Sequence, residues 1–116
     1  MPHIKAVFGD APGIREFLRT EKTIIREIVA DKLGYPSEDV ALYPHSISGD
    51  DLELSDNLLP LEFVIDSGRL SLDREDECAE EMKRAILTQC YGATQIHFGI
   101  WLVSHGKNAF VESKPS

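Results

Sequence analysis

The chain has little cysteine, little positive charge and no long apolar segment. Its two cysteines are too few for a disulfide framework, which fits a reducing compartment. Twelve lysines and arginines stand against 20 aspartates and glutamates, and the net charge of −8 argues against a sequence-independent nucleic-acid binder. No apolar run could span a bilayer. The amino terminus passes directly into a strand pattern, so no signal peptide is expected. These absences predict a cytoplasmic protein without a nucleic-acid or membrane partner.

What the chain does contain is the composition of one ordinary globular domain. It has 116 residues, of which 42% are apolar and 28% charged. A chain of this size can bury a hydrophobic core, although oligomerisation would stabilise it further. We therefore expect a single domain over residues 1–116.

The first half of the sequence predicts a strand, a helix and a second strand. β-branched and aromatic residues indicate a strand over Pro2–Phe8, and a stripe of apolar residues at helical spacing indicates a helix over about Ile14–Leu33. Gly34 is a typical helix stop. A second strand is expected over Val40–Ile47, where Pro44 favours an edge of the sheet.

The second half repeats this order of elements. We expect a strand over Leu61–Ile65, a helix over about Leu72–Tyr91 that contains both cysteines, and a long, buried strand over Gln95–Val103. A short returning strand over Ala109–Val111 would follow.

An offset of 58 residues superposes the two halves, with Pro2 on Pro60 and Gly34 on Gly92. This predicts an α/β fold (α+β by some schemes) of two βαβ repeats. The repeats would cover about 2–47 and 60–111, with a linker over about 48–59. They would form a four-stranded sheet with two right-handed crossover helices on one face. The other face carries apolar residues at alternate positions, so subunit packing is expected to cover it.

Three short segments carry a resemblance to a known family. Pro2 directly follows the initiator, the segment Val64–Ser71 contains a Gly-Arg-Leu-Ser junction between strand and helix, and Gly34–Val40 connects helix to strand. In these segments the chain resembles the tautomerase superfamily, in particular its fused-repeat members such as 5-carboxymethyl-2-hydroxymuconate isomerase, malonate semialdehyde decarboxylase and macrophage migration inhibitory factor. The resemblance implies a tautomerase-like fold, a homotrimer, a small carboxylate substrate and no cofactor.

Pro2 is the predicted catalytic base. Removal of Met1 would leave a secondary amine, and an α-amino group titrates at about 7.7 to 8 in model peptides. Burial at the start of a strand disfavours the ammonium form, and a neighbouring guanidinium acts in the same direction. The amine would then be neutral near physiological pH and able to accept a proton from carbon. Pro60 occupies the equivalent place but its nitrogen is an amide, so only one half can carry the base.

Arg69 is the predicted substrate ligand, because a guanidinium binds a carboxylate in a bidentate manner and stabilises a developing enolate. Tyr43 and His45, on the second predicted strand, are further candidates for substrate binding. Lys5 alternates with His3 and is interpreted as a solvent-facing side chain. The four histidines have no metal-ligand spacing, so no metal site is expected.

The leading hypothesis is a tautomerase or isomerase acting on a small keto or enol acid, with decarboxylation or hydration on the same base as variants. A non-catalytic trimer that binds a small ligand or a protein is the alternative on the same scaffold. A third interpretation is a ferredoxin-like interaction domain that does not form trimers.

Overall fold

The computed structural model describes residues 2–9, 12–47, 59–68, 73–104 and 107–115. Over these residues the chain forms five strands and two α-helices. In chain order they are β1 (His3–Gly9), α1 (Pro12–Leu33), β2 (Ala41–Ile47), β3 (Leu61–Asp66), α2 (Glu75–Gln89), β4 (Phe98–Ser104) and β5 (Lys107–Ser113). Two short 3₁₀ turns, Ser37–Asp39 and Ala93–Gln95, precede β2 and β4. Within the described ranges, neither helix is long and apolar enough to cross a membrane.

The strands form one sheet in the order β2-β1-β3-β4-β5. β1 is parallel to β2 and β3 is parallel to β4, as two βαβ units require, and the units join through the antiparallel pair β1–β3. This confirms the predicted fold class. β2 lies at an edge, as Pro44 indicated.

The sheet has one strand more than the four expected. The predicted returning segment Ala109–Val111 is the middle of β5, which pairs with β4 from Ser104↔Lys107 to Phe98↔Ser113. The strand is longer than its apolar residues indicate because its backbone pairs along the whole of β4, including positions whose side chains are polar.

Both helices are followed by a glycine in the left-handed region, which a residue with a Cβ adopts only with strain. Gly34 has φ +78°, and the amides of Gly34 and Tyr35 both donate to the carbonyl of Ala30, at 2.8 and 3.0 Å. Gly92 has φ +86°. α2 ends before it at Gln89, and Cys90, predicted to be helical, has an extended backbone while its amide still donates to the carbonyl of Ile86.

The hydrophobic core lies between the two helices and one face of the sheet. Alternate residues of β1, β3 and β4 are buried there, in contact with the apolar stripes of α1 and α2. The largest fully buried side chains of this core are Phe63, Phe98, Ile4, Ile25, Leu61, Ile65, Met82, Ile86, Ile100, Leu102, Val29 and Val40. A period of two in the strands and of about 3.6 in the helices therefore produces a two-layer domain.

The opposite face of the sheet, which we call the open face, has no helix of the described chain over it. Trp101 and Phe110, cross-strand partners on β4 and β5, are each 38% exposed, with ring centroids 4.5 Å apart. The ring of Phe110 and the side chain of Leu59 lie over Gly99, where an added Cβ would be 2.6 and 2.8 Å from them. The open face thus carries the apolar residues that the alternation predicted.

Candidate functional site

Tyr43 and His45 lie together on the open face. β2 runs parallel to β1 in a register that pairs Lys5 with Tyr43 and Val7 with His45, so these side chains share one side of the sheet. They line a shallow cavity of about 410 Å³, whose other lining residues are His3, Lys5, Pro44, Val64 and Asp66. We call this the β1–β2 cavity.

The β1–β2 cavity contains groups that can bind an anion and groups that can position it. The Lys5 side chain carries an ammonium group, and the ring of His3 meets that of Tyr43 edge-on with centroids 6.3 Å apart. Asp66 adds a carboxylate whose Oδ1 accepts a hydrogen bond from the amide of Gly68 at 2.9 Å. That bond offsets part of the acid's negative charge at the edge of the cavity.

Pro2 directly precedes a residue of this cavity but does not line the cavity itself. It is buried, and its carbonyl accepts a hydrogen bond from the amide of Ala41 at 3.3 Å, which continues the parallel pairing of β1 and β2 by one step. His3, the next residue, lines the cavity. The predicted base is therefore adjacent in the chain to the cavity that contains Tyr43 and His45.

Arg26 of α1 fixes the start of β2 next to Pro2. Its Nε donates to the carbonyl oxygen of Val40 at 2.9 Å, and its Nη2 donates to that of Ser37 at 3.3 Å. Val40 directly precedes Ala41, whose amide donates the hydrogen bond to the carbonyl of Pro2. Because the guanidinium holds two carbonyls of this connection, Arg26 positions the strand that carries Tyr43 and His45.

Arg69, the predicted substrate ligand, lies outside the described residues. The chain approaching it is described as far as Gly68. The antiparallel register pairs His3 with Asp66, and one further step brings Ser67 opposite Pro2. Ser67 is fully buried, its amide donates to the carbonyl of Val103 at 3.0 Å, and its own carbonyl accepts from the hydroxyl of Tyr35 at 3.2 Å. The junction that leads to Arg69 thus begins beside Pro2.

Lys5, His3 and Asp66 were not among the predicted site residues, although they line the cavity. Lys5 is exposed, as its interpretation as a solvent-facing residue implies, but it also contributes a cation to the cavity. The sequence held a usable signal: β1 and β2 are parallel strands of one βαβ unit, so alternate residues of both project from the same face. No group of three or more His, Cys, Asp or Glu side chains could hold a metal ion in the part of the chain that is described.

The sequence and the structure were compared with those of known proteins, and the matches concern the fold. No family model matches the chain, and no curated protein matches it significantly. Among solved structures, the chain is similar to native Ps01740, with a TM-score of 0.56 and 14% identity over 88% of this chain and 92% of that one. It is also similar to Pt0534 inactivated by 2-oxo-3-pentynoate, with a TM-score of 0.49 and 16% identity over 88% of this chain and 82% of that one. The likeness to Ps01740 extends over most of both chains and shows a shared α/β fold.

Proposed function

We propose that the chain is a tautomerase or isomerase that acts on a small keto or enol acid, with Pro2 as its general base. The observation that supports this proposal is the β1–β2 cavity, which is lined by Lys5, Tyr43 and His45 together with His3, the residue that follows Pro2. The tautomerase-like fold supports the same function. The reaction moves a proton within the substrate, so it needs no cofactor.

In this proposal, removal of Met1 gives Pro2 a secondary amine. The burial of Pro2 disfavours the ammonium form, which leaves the nitrogen free to accept a proton. Pro2 takes a proton from the substrate and returns it to another atom, so the amine is regenerated. The negative charge that develops on the substrate oxygen is stabilised by Arg69, and Lys5 attracts the carboxylate into the cavity. Tyr43 and His45 supply hydrogen bonds that orient the acid.

One observation favours the alternative of a non-catalytic, ligand-binding protein. Pro2 is buried and is absent from the residues that line the cavity, so a ligand could bind to Lys5 and Tyr43 without reaching the nitrogen. The two functions share a binding site and differ only in whether the nitrogen takes part. A test must therefore change that nitrogen and leave the cavity intact.

The test compares two forms of one chain, with Met1 removed or with Met1 retained so that the Pro2 nitrogen is an amide. Mass spectrometry assigns each form, and ketonisation of enol phenylpyruvate and of 2-hydroxymuconate is measured. General base catalysis contributes about 10²–10⁴-fold, so the retained form should lose activity by that factor. Pro60→Ala, at the equivalent proline of the second half, is the matched control and should keep full activity.

Equal rates in the two forms would refute Pro2 as the base. Saturable phenylpyruvate binding with no turnover in either form would instead establish the ligand-binding alternative. Arg69→Lys would test the substrate ligand, because a lysine keeps the charge but loses the bidentate geometry.

We also propose that the protein is a homotrimer in which neighbouring subunits cover the open face. The exposed pair of Trp101 and Phe110 supports this, since an aromatic pair on an uncovered sheet is apolar surface that assembly would bury. Light scattering should give three times the chain mass. Trp101→Lys should shift it to the monomer, whereas Tyr91→Lys, at an aromatic residue that is 91% exposed and outside the sheet, should not. A wild-type monomer at all concentrations would refute the trimer and favour the ferredoxin-like interpretation.

A further inference from the structure

A second cavity lies at the other end of β1 from Pro2, between the first turns of α1 and the turn that follows α2. Its volume is about 460 Å³. Its lining residues are Gly13, Ile14, Glu16, Phe17, Thr20, Glu21, Tyr91, Gly92, Gln95 and Ile96. It shares no lining residue with the β1–β2 cavity. We call it the α1 groove.

The α1 groove is apolar apart from a few groups, and its charge is negative. Ile14, Phe17 and Ile96 supply the apolar wall, and no lysine, arginine or histidine is among the lining residues that the structure describes. The two charged residues are Glu16 and Glu21. This combination of an apolar wall with a small number of polar groups is typical of sites for small organic molecules.

Glu21 is the unusual residue of this groove. The residue as a whole is only 6% exposed, and its carboxylate makes no hydrogen bond or ion pair with any described residue. Its oxygens are not among the fully buried atoms without a partner, so they remain accessible from the groove. Glu16, by contrast, lies at the exposed rim and is bonded to Arg19. The pKa of the nearby Cys90 thiol is raised to about 12, first by burial and then by the charge of Glu21. A carboxylate that opens into an apolar groove with no cationic partner among the described residues can pair with the positive charge of a ligand.

Tyr91 provides a second feature that suits a cation. It follows α2, lines the groove and is 91% exposed, so its ring is free to lie against a bound molecule. An aromatic face attracts an ammonium group through its quadrupole. The buried acid and the exposed ring therefore favour the same charge.

We propose that the α1 groove binds a small organic ammonium ion with an apolar body, which pairs with Glu21 and contacts Phe17 and Tyr91. The carboxylate selects the positive charge, and the apolar wall selects an organic cation over a hydrated metal ion. This site is independent of Pro2 and of the proposed reaction.

The experiment is an NMR titration of the ¹⁵N-labelled chain with 2-phenylethylammonium. Two molecules of similar size, 2-phenylethanol and 3-phenylpropionate, are the neutral and anionic controls. We expect saturable shifts of the amides of Gly13, Thr20, Gly92 and Gln95 with the ammonium ion. The alcohol should bind at least about tenfold more weakly, because it lacks the charge-assisted bond, and the carboxylate should not shift these four amides, whatever it does at the β1–β2 cavity.

Three variants locate the cation. Glu21→Gln should weaken ammonium binding about tenfold while the affinity for the alcohol stays the same. Glu16→Gln, the matched control at the rim, should change it by about twofold or less because that acid is exposed and already paired. Tyr91→Ala should weaken it by about two- to fivefold.

Equal affinities for the ammonium ion and the alcohol would overturn the proposal, as would the absence of saturable shifts. Unchanged binding by Glu21→Gln would also overturn it. The comparison of the three probe molecules is made on the wild-type protein and does not depend on the folding of a variant.

Discussion

The two faces of the sheet are built from the same alternating strands but are filled in different ways. On the covered face, strand residues such as Phe63 and Ile100 are fully buried under the helices. On the open face, Trp101 and Phe110 cover one another only in part, and the β1–β2 cavity lies beside them. Burial concentrates stability on the first face, and the second keeps the polar and aromatic groups on which a ligand or another subunit can act.

The two faces should differ most in the free energy of unfolding that is lost when a phenylalanine on each face is replaced by alanine. Phe63 is completely buried and meets Phe98 edge-on at 6.0 Å, so Phe63→Ala should lower the free energy of unfolding by about 3–5 kcal/mol. Phe110→Ala removes a half-exposed ring from Trp101 and should cost about 0.5–1.5 kcal/mol. Urea unfolding at low protein concentration measures both. Equal losses would mean that the open face contributes as much to stability as the core.

The covered face could be predicted from the sequence because it depends on periodicity. Apolar residues every second position placed β1, β3 and β4, and the helical stripe before Gly34 placed α1 to its last residue, Leu33. The predicted ends of the strands and helices were wrong where backbone hydrogen bonds determine them. β4 begins at Phe98 and not at Gln95, because Ala93–Gln95 forms a 3₁₀ turn whose bonds the side chains do not reveal.

The candidate site could be predicted only in part. Tyr43 and His45 were placed by the predicted strand, and the structure puts them in one cavity. The contribution of Lys5 depends on the register between two strands, which is set by backbone pairing and by the intervening helix. Glu21 lies within the apolar stripe of α1, and its burial without a partner follows only from tertiary packing. The roles of Pro2 and Arg69 stay predictions.

A smaller loss of stability is expected on the open face, at the point where the aromatic pair lies over the backbone of β4. In Gly99→Ala the new methyl group would be 2.6 Å from Cε1 of Phe110 and 2.8 Å from Cδ1 of Leu59, so the ring must move away from the sheet. The expected cost is about 1–3 kcal/mol in urea unfolding. Gly13→Ala, in α1 with no atom within 4 Å of the added Cβ, is the control and should be neutral or slightly stabilising. A double variant with Phe110→Ala should lose less than the sum of the two changes, since the clash with the ring would be gone while that with Leu59 stays. Strict additivity would contradict the contact.

The smallest effect concerns acid stability on the open face, where Nε2 of His97 lies 2.8 Å from Oε2 of Glu112. The hydrogen bond from His97 is the main reason that the pKa of Glu112 is lowered from its ordinary value of 4.5. A carboxyl whose pKa is lower in the folded state stabilises the fold above its ordinary pKa, and this contribution is lost as the pH falls through the lowered value. Glu112→Gln should therefore reduce the urea midpoint slightly at pH 6 and by less at pH 3, and His97→Gln should reproduce the difference. The effect is small because the pair is exposed to solvent. An equal loss at both pH values would show that Glu112 contributes by packing on the sheet and not by its charge.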